Sequence, residues 1–363
     1  MTLLQERYLN TNAIFLAHGY VGEILGKTVH GVLMHSKVFN VVALVDREKV
    51  GQDTSKICPG VTKSVPIFSS VSETFQCDPK VAILLGDPSE QNLHEIKECI
   101  WRGLDIINSS FVFLSDFPEI VELANKQNVR LIDIRNVKRI WRMPDGSILN
   151  IKAKVVYVTG TDCGLGKRTA TFELVEEAKK RGIRAAFAAT GQTGMMLGCE
   201  GGIIFDAINT NYSAGAVEEL IVSLDNKGYD LIFLEGQAAI MHYGGSTVLT
   251  LLHSSNPHAI VMVHDPTRKY HAAYGNSPIF KMGGLQREID VIENLYLPEG
   301  NKYKVVAVPT RGENNIEFVK KITELPVADV RKPGGPAIIL DAVLKHLEHE
   351  YKWIPDINKH EYV

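Results

Sequence analysis

At 363 residues the chain exceeds what one hydrophobic core usually supports, so two domains are expected. Hydrophobic residues at 45%, charged residues at 22% and a formal charge of −3 describe an ordinary globular protein, and with no dominating basic region they exclude nucleic acid as the main partner. No apolar run approaches the roughly 20 residues of a membrane span, Met1-Thr-Leu-Leu-Gln-Glu-Arg7 lacks a secretion-signal pattern, and five cysteines without CxxC spacing suit a reducing cytoplasm and no zinc site.

Along the chain, Ala13-Ile-Phe-Leu-Ala-His18 reads as a first strand, followed by Gly19-Tyr-Val-Gly22 and a helical stretch to about His35. Val41-Val-Ala-Leu-Val-Asp46 is a second strand with an acid at its end. Val81-Ala-Ile-Leu-Leu-Gly86, a helix near 89–102, Asp105-Ile-Ile-Asn108, a helix near 116–127 and Arg130-Leu-Ile-Asp-Ile134 continue the rhythm. Strands alternating with helices imply parallel pairing through right-handed crossovers, a Rossmann-like α/β sheet over residues 1–150. Gly19-x-x-Gly22 falls short of the full dinucleotide fingerprint, so these read as tight-turn glycines beside a solvated Asp46. Gly26-Lys27-Thr28 imitates a phosphate loop, but Val21 stands where its upstream glycine belongs and the triplet lies inside the expected helix. No nucleotide is expected there.

Residues 137–152 lose the alternation, and Pro144-Asp-Gly146 is a turn signature, so the boundary is placed just ahead of Lys154, with a second domain over 151–363. That domain opens on a buried strand, Val155 to Val158, a glycine loop and a helix starting near Lys167. Strand, glycine loop, lysine and helix form a phosphate cradle, in which backbone amides, the helix N-terminus and a full charge converge. Its candidate ligands are Gly160, Thr161, Asp162, Cys163, Gly164, Leu165, Gly166, Lys167, Arg168 and Thr169. Thr161 holds the usual leading glycine position. Arg168 replaces the serine or threonine that holds Mg²⁺ in nucleotide hydrolases, and Thr169 comes one residue late, roughly 100° around the helix. Polyphosphate binding is expected, without routine Mg-nucleotide hydrolysis. Cys163 reads as a small loop filler, because no histidine is adjacent in sequence.

The helix 167–181 is expected to end at Arg181-Gly182. Ala185 to Thr190 reads as a strand, Gly191 to Gly202 as a mobile glycine-rich loop, Ile203 to Asp206 as strand-like, and a helix follows from about Ser213. Tyr229 to Glu235 is an apolar strand delivering an acid toward the phosphates. Ala259 to Val263 leads into His264-Asp-Pro-Thr-Arg268, and Lys304 to Arg311 forms the last strand. The tail from Pro336 to Tyr351 is an amphipathic helix with Ile338, Ile339, Ala342, Val343 and Leu347 on one face. These strand ends meet at one crevice, where open α/β sheets place ligands. Gln192, Asp206, Asn211, Arg268 and Arg311 are candidate substrate contacts, the arginines suiting carboxylates. His264, Glu235 and Lys167 are the candidate catalytic groups. No HExxH-type pairing occurs, so no metal site is expected.

Val158-Thr-Gly-Thr-Asp162 with Gly166-Lys167 resembles the phosphate loop of dethiobiotin synthetase and related amidoligases, and Glu235-Gly236 matches that family's Glu-Gly. That resemblance implies ATP with Mg²⁺ held partly by Asp162, and Arg168 departs from its Gly-Lys-Thr. A fuller resemblance, over nearly the whole chain, is to a family long catalogued as a domain of unknown function, which includes D-glutamate N-acetyltransferase-like proteins. It is carried by Gly160-Thr-Asp-Cys163 with Gly166-Lys-Arg-Thr169, Thr190-Gly-Gln-Thr-Gly194, Asp206-Ala207 with Ala214-Gly-Ala-Val-Glu218, Glu235-Gly-Gln237 and His264-Asp-Pro-Thr-Arg268. Many members continue Glu-Gly-Gln-Gly and then His-Pro, whereas Gln237 is followed here by Ala238-Ala239 and later His242-Tyr243.

This resemblance implies a Rossmann-like N-terminal domain, a P-loop C-terminal domain and transfer of acetyl from acetyl-CoA to the amine of D-glutamate or a similar acidic amino acid. Coenzyme A carries a pyrophosphate and no γ-phosphate to cleave, which suits a loop that keeps Lys167 and replaces the Mg²⁺-holding hydroxyl. His264 or Glu235 would take the amine proton, and Arg268 or Arg311 would grip the carboxylates. The alternatives are an ATP/Mg-dependent ligase, a non-catalytic nucleotide- or CoA-binding regulator, and an oxidoreductase binding NAD in the first domain. A cytoplasmic homo-oligomer is expected.

Overall fold

The computed structural model describes residues 3–23, 26–58, 60–272, 280–295 and 302–356. Two compact units emerge, one from the residues up to Arg139 together with Gly191–Cys199, the other from Ile140–Thr190 and the chain from Glu200 onward. In chain order the elements of the N-terminal half are α1 (Leu3–Tyr8), β1 (Thr11–Leu16), α2 (Lys27–His35), β2 (Phe39–Val45), α3 (Thr54–Ile57), β3 (Ile67–Phe68), α4 (Val71–Thr74), β4 (Val81–Leu84), α5 (Glu90–Trp101), β5 (Asp105–Asn108), α6 (Pro118–Gln127) and β6 (Leu131–Asp133). The C-terminal half adds β7 (Lys154–Gly160), α7 (Lys167–Lys180), β8 (Ala185–Ala189), α8 (Gln192–Leu197), β9 (Gly201–Gly202), α9 (Thr210–Asn226), β10 (Leu231–Glu235), α10 (Ser246–Ser255), β11 (Ala259–Val263), α11 (Leu285–Glu293), β12 (Val305–Pro309), α12 (Glu313–Lys320), β13 (Val327–Ala328) and α13 (Gly335–Tyr351).

Both sheets are wholly parallel. The first runs β3-β2-β1-β4-β5-β6 and the second β13-β12-β11-β7-β10-β8-β9. Their central strands are continuous apolar runs, buried along their length, because helices cover both faces of a parallel sheet. The first core joins Ile14, Leu16, Ala82 and Leu84 of the sheet to Ile96 and Ile100 of α5 and Ile120 of α6. The second joins Val155, Tyr157, Ile232 and Ile260 to Val217 and Ile221 of α9 and Leu251 of α10. Each such fully buried valine, leucine or isoleucine side chain contributes about 1.5–3 kcal/mol of transfer free energy. Among the described residues no helix is long and apolar enough to cross a membrane.

Several expectations are corrected. Asp46 is wholly buried rather than solvated, and its carboxylate accepts the Gly19 and Glu48 backbone N–H groups at 3.2 and 3.1 Å, fixing the turn after β1. Lys27 and Thr28 lie in α2 as expected, though in its first turn behind the Gly26 N-cap, and Gly26 is obligatory because a Cβ there would meet the Tyr20 carbonyl oxygen. The stretch Gly191–Gly202 is no simple loop, since Gln192–Leu197 forms α8 and Gly201–Gly202 pairs with β8 as β9. Ile203–Asp206 is accordingly not a strand. β12 is not the last strand, because Val327–Ala328 adds an edge.

Around the expected domain boundary, the 142–147 stretch is anchored on α9. The buried Glu218 accepts from Arg142 Nη2 at 2.9 Å and from Ser147 Oγ at 2.8 Å.

Candidate active site

β7 lies between β11 and β10, so its carboxyl end opens beside the ends of both neighbours, where Glu235 and His264 stand. Gly160 permits this close packing, since a Cβ would lie 2.7 Å from the Val263 carbonyl oxygen. The loop then turns through Gly166, whose φ of 105° only glycine adopts freely, and α7 begins at Lys167 with its first amides facing the loop. Lys167 is buried, and its Nζ donates to the carbonyl oxygens of Asp162 and Ala238 at 2.7 Å each. Leu165 is buried beneath the loop, Gly164 is exposed, and Thr169 is half-buried in the first turn of α7.

Arg168 turns back on the neighbouring strand. Its Nε donates to Glu235 Oε1 at 2.9 Å, while Glu235 Oε2 accepts the Thr190 N–H at 3.3 Å. The Thr190 hydroxyl donates to the Glu235 carbonyl oxygen, and Gln237 Nε2 donates to that of Thr190, which locks the ends of β8 and β10 together. His264 is buried with Nδ1 2.9 Å from Thr161 Oγ1. Burial pushes its pKa down to about 4, so the ring is neutral at physiological pH.

Asp162 is the hub. Fully buried, it takes Arg268 Nη1 at 2.8 Å, the Ala272 N–H at 3.0 Å and His271 Nδ1 at 3.0 Å. Burial alone would raise its pKa, but these donors outweigh it and hold the carboxyl below the ordinary value. Arg268 Nη1 also donates to the Cys163 carbonyl oxygen at 2.7 Å, so this guanidinium staples the loop.

A histidine does lie beside the loop cysteine, though 79 residues away in sequence: His242 Nε2 is 3.8 Å from Cys163 Sγ and 3.8 Å from Asp162 Oδ1. Asp162, Cys163 and His242 thus bring three potential metal-ligand atoms within 4.8 Å of one another. The Gly244 N–H donates to His242 Nδ1 at 3.1 Å, which leaves the proton of the neutral ring on Nε2. The nitrogen facing the loop is therefore a donor, the wrong polarity for a metal ligand. Burial, then the neighbouring His271, push the His242 pKa down and favour this neutral form.

Sequence reasoning missed three further residues. His242 follows the Glu235-Gly-Gln237 stretch by five residues, with nothing between them to mark it as a partner of the loop. His271 follows β11 in a stretch with no motif. Glu288 is 1% exposed on α11, on the same helical stripe as Leu285, Ile289 and Ile292, and a charge on an apolar stripe is a readable signal. Burial pushes its carboxyl up to about 7, opposed by the Met241 and Ile240 amides and by Lys167.

The structure gathers the expected site residues around the loop in three bonded groups, Thr161 with His264, Arg168 with Glu235, and Asp162, Cys163 and Lys167 with Arg268, and Arg311 lies against Gly166. Asp206 and Asn211 are exposed, on the 205–207 turn and the first turn of α9, apart from the contacts that tie the loop together. Gln192 opens α8, which belongs to the other unit.

A family model described as the DUF1611 P-loop domain matches residues 142–339, and one described as the DUF1611 Rossmann-like domain matches residues 47–137. A protein named D-glutamate N-acetyltransferase from Tritonibacter scottomollicae is 26% identical over 264 residues, 70% of this chain and 77% of its own. Another of that name from a Pseudoalteromonas species is 32% identical over 176 residues, which are 48% of this chain and 52% of the relative. The crystal structure of a DUF1611 family protein from Anabaena variabilis shares the fold with a TM-score of 0.85 at 28% identity, over 93% of this chain and 100% of that one. With a P-loop match covering more than half of the sequence and a Rossmann-like match ahead of it, the chain belongs to the DUF1611 family.

Proposed function

We propose that this protein transfers acetyl from acetyl-CoA to the amine of an acidic amino acid, D-glutamate or one like it, with the coenzyme's phosphates in the 160–169 loop. The observation that carries this reading is the Arg168–Glu235 ion pair. In a nucleotide hydrolase the residue after the lysine and the acid on the neighbouring strand serve the metal. Here those two positions neutralise each other, so a fixed guanidinium stands where a metal-holding hydroxyl would be. A diphosphate that is held and never split needs only charge compensation and amide donors, which Lys167 and the start of α7 supply. The names of the two relatives support acetyl transfer to D-glutamate.

The reaction is a direct displacement. The amine nitrogen bonds to the thioester carbonyl carbon, the carbon–sulfur bond breaks, and the departing sulfur takes up the proton the amine loses. Backbone amides are suited to the intervening oxyanion. The diphosphate and the thioester sit at opposite ends of the pantetheine arm, so groups that shape the loop serve binding. We therefore assign His264, tied to Thr161, and Glu235, tied to Arg168, to ordering the loop.

The test is release of free thiol from acetyl-CoA on addition of D-glutamate, together with a thermal-shift comparison of CoA and ATP–Mg. Acceptor-dependent thiol release that Lys167→Ala suppresses is expected. Phosphate release from ATP–Mg stimulated by a carboxylate substrate, with no effect of CoA, would overturn the reading.

A further inference from the structure

Arg311 follows β12, and its guanidinium lies across the mouth of the phosphate loop. A Cβ placed on Gly166 would meet Arg311 Nη2 at 2.6 Å and Cζ at 3.4 Å, so the glycine that turns the loop also makes room for this arginine. Among the described residues Arg311 makes no hydrogen bond and no ion pair, and the residue is exposed.

The other cations at this edge are committed. Arg168 is bonded to Glu235, Arg268 to Asp162, and Arg331 to Asp329. The acids nearest Arg311 are spent as well, Asp329 on Arg331 and the Gly312 N–H, Asp265 on Thr267. Desolvation, then repulsion from Arg331, push the Arg311 pKa below the ordinary arginine value, Asp329 and Asp265 opposing and Arg268 adding to the repulsion. A permanent charge therefore stands without a bonded counter-ion where the loop amides open. Such a charge calls for an anion, and the forked guanidinium matches a phosphoryl group.

We propose that Arg311 is a phosphate clamp, its guanidinium taking the phosphoryl group next to the one held by Lys167, and not the carboxylate of the acceptor amino acid. The clamp rests on the reading above only in naming coenzyme A as the source of the diphosphate; inorganic pyrophosphate probes it independently.

Titration calorimetry with pyrophosphate and with CoA on wild type, Arg311→Ala, Arg311→Lys and Arg331→Ala tests it. Arg311→Ala is expected to weaken both ligands about tenfold or more, Arg311→Lys to restore part of the loss, and Arg331→Ala, which removes an equal charge from the same edge, to change binding less than threefold. An unchanged melting curve for Arg311→Ala is expected, because the side chain has no partner to lose. Wild-type-like pyrophosphate affinity in Arg311→Ala would overturn the clamp. So would a raised acceptor KM at unaltered CoA affinity. If wild type takes pyrophosphate and not CoA, and Arg311→Ala weakens pyrophosphate, the clamp stands and the coenzyme reading falls.

Discussion

Removing the Arg168 side chain would strand the Glu235 carboxylate, 6% exposed, with only the Thr190 N–H at 3.3 Å. Breaking one side of a buried ion pair costs about 3–5 kcal/mol. With the Arg168 side chain 20% exposed, Arg168→Ala is expected to cost about 2–3 kcal/mol. Adding Glu235→Gln should recover most of that loss in urea unfolding. If the double variant is no better than the single, the pair does not carry the charge balance assigned to it.

Two other buried groups tie stability to pH with opposite signs. Folded Glu288 titrates near 7 against 4.5 for the free side chain, so between those values the folded state holds the extra proton and stability falls as pH rises. His264, near 4 when folded against 6.5, makes the unfolded state the better proton binder, so stability falls as pH drops through that interval. The two slopes offset each other between about pH 4.5 and 6.5. Glu288→Gln removes one of them, and at pH 8 it is expected to exceed wild type by about 3 kcal/mol, the free energy of a shift of that size. Denaturation at pH 5 and pH 8 reads this, and equal stability at pH 8 would contradict the placement of Glu288.

The loop itself was legible because strand, glycines, lysine and helix are consecutive. Its partners were not, for His271 reaches Asp162 from 109 residues away, and no local pattern reports such a meeting.

Among the elements, long periodic segments read well and short ones did not. β3, β9 and β13 are two residues each, too brief to show a period of two, and they exist because a neighbouring strand offers them a hydrogen-bonding edge. On α13 the expected face included Ile338, yet the buried side chains are Ile339, Leu340, Val343 and Leu347, and Ile338 is 49% exposed. At 100° per residue the arc centred on Val343 takes in Leu340 and leaves Ile338 outside. Leu340→Ala should therefore cost about 2–5 kcal/mol and Ile338→Ala less than about 0.5, which thermal unfolding of the pair would check.

α8 was hidden by its glycines, which argue for a loop, until tertiary contacts intervene. It docks on α2 through Thr28 Oγ1 and Thr193 Oγ1, 2.8 Å apart and buried, while the Ser36 hydroxyl donates to the Met196 carbonyl oxygen at 2.7 Å. Thr193→Val leaves the Thr28 hydroxyl buried and unpartnered, a loss of about 1–3 kcal/mol. Thr28→Val with Thr193→Val removes both polar atoms and should return close to wild type. A double variant worse than Thr193→Val alone would show that packing, not the hydroxyl pair, holds α8.

At the scale of the whole molecule, the connectivity of the two units constrains how the chain unfolds. The first unit draws Gly191–Cys199 from the sequence of the second, so the chain leaves the P-loop sheet after β8, completes the other unit with α8, and returns to add β9. Within the first unit the Lys37 N–H donates to the Leu197 carbonyl oxygen at 2.9 Å, a backbone bond that residues 1–139 alone cannot make. A fragment of residues 1–139 therefore exposes the α2 surface that α8 covers and leaves Thr28 and Ser36 without their partners. It is expected to unfold at lower denaturant than the same fragment carrying 191–199 on a flexible linker. A 1–139 fragment as stable as the linked one would mean that α8 rides on the first unit without supporting it.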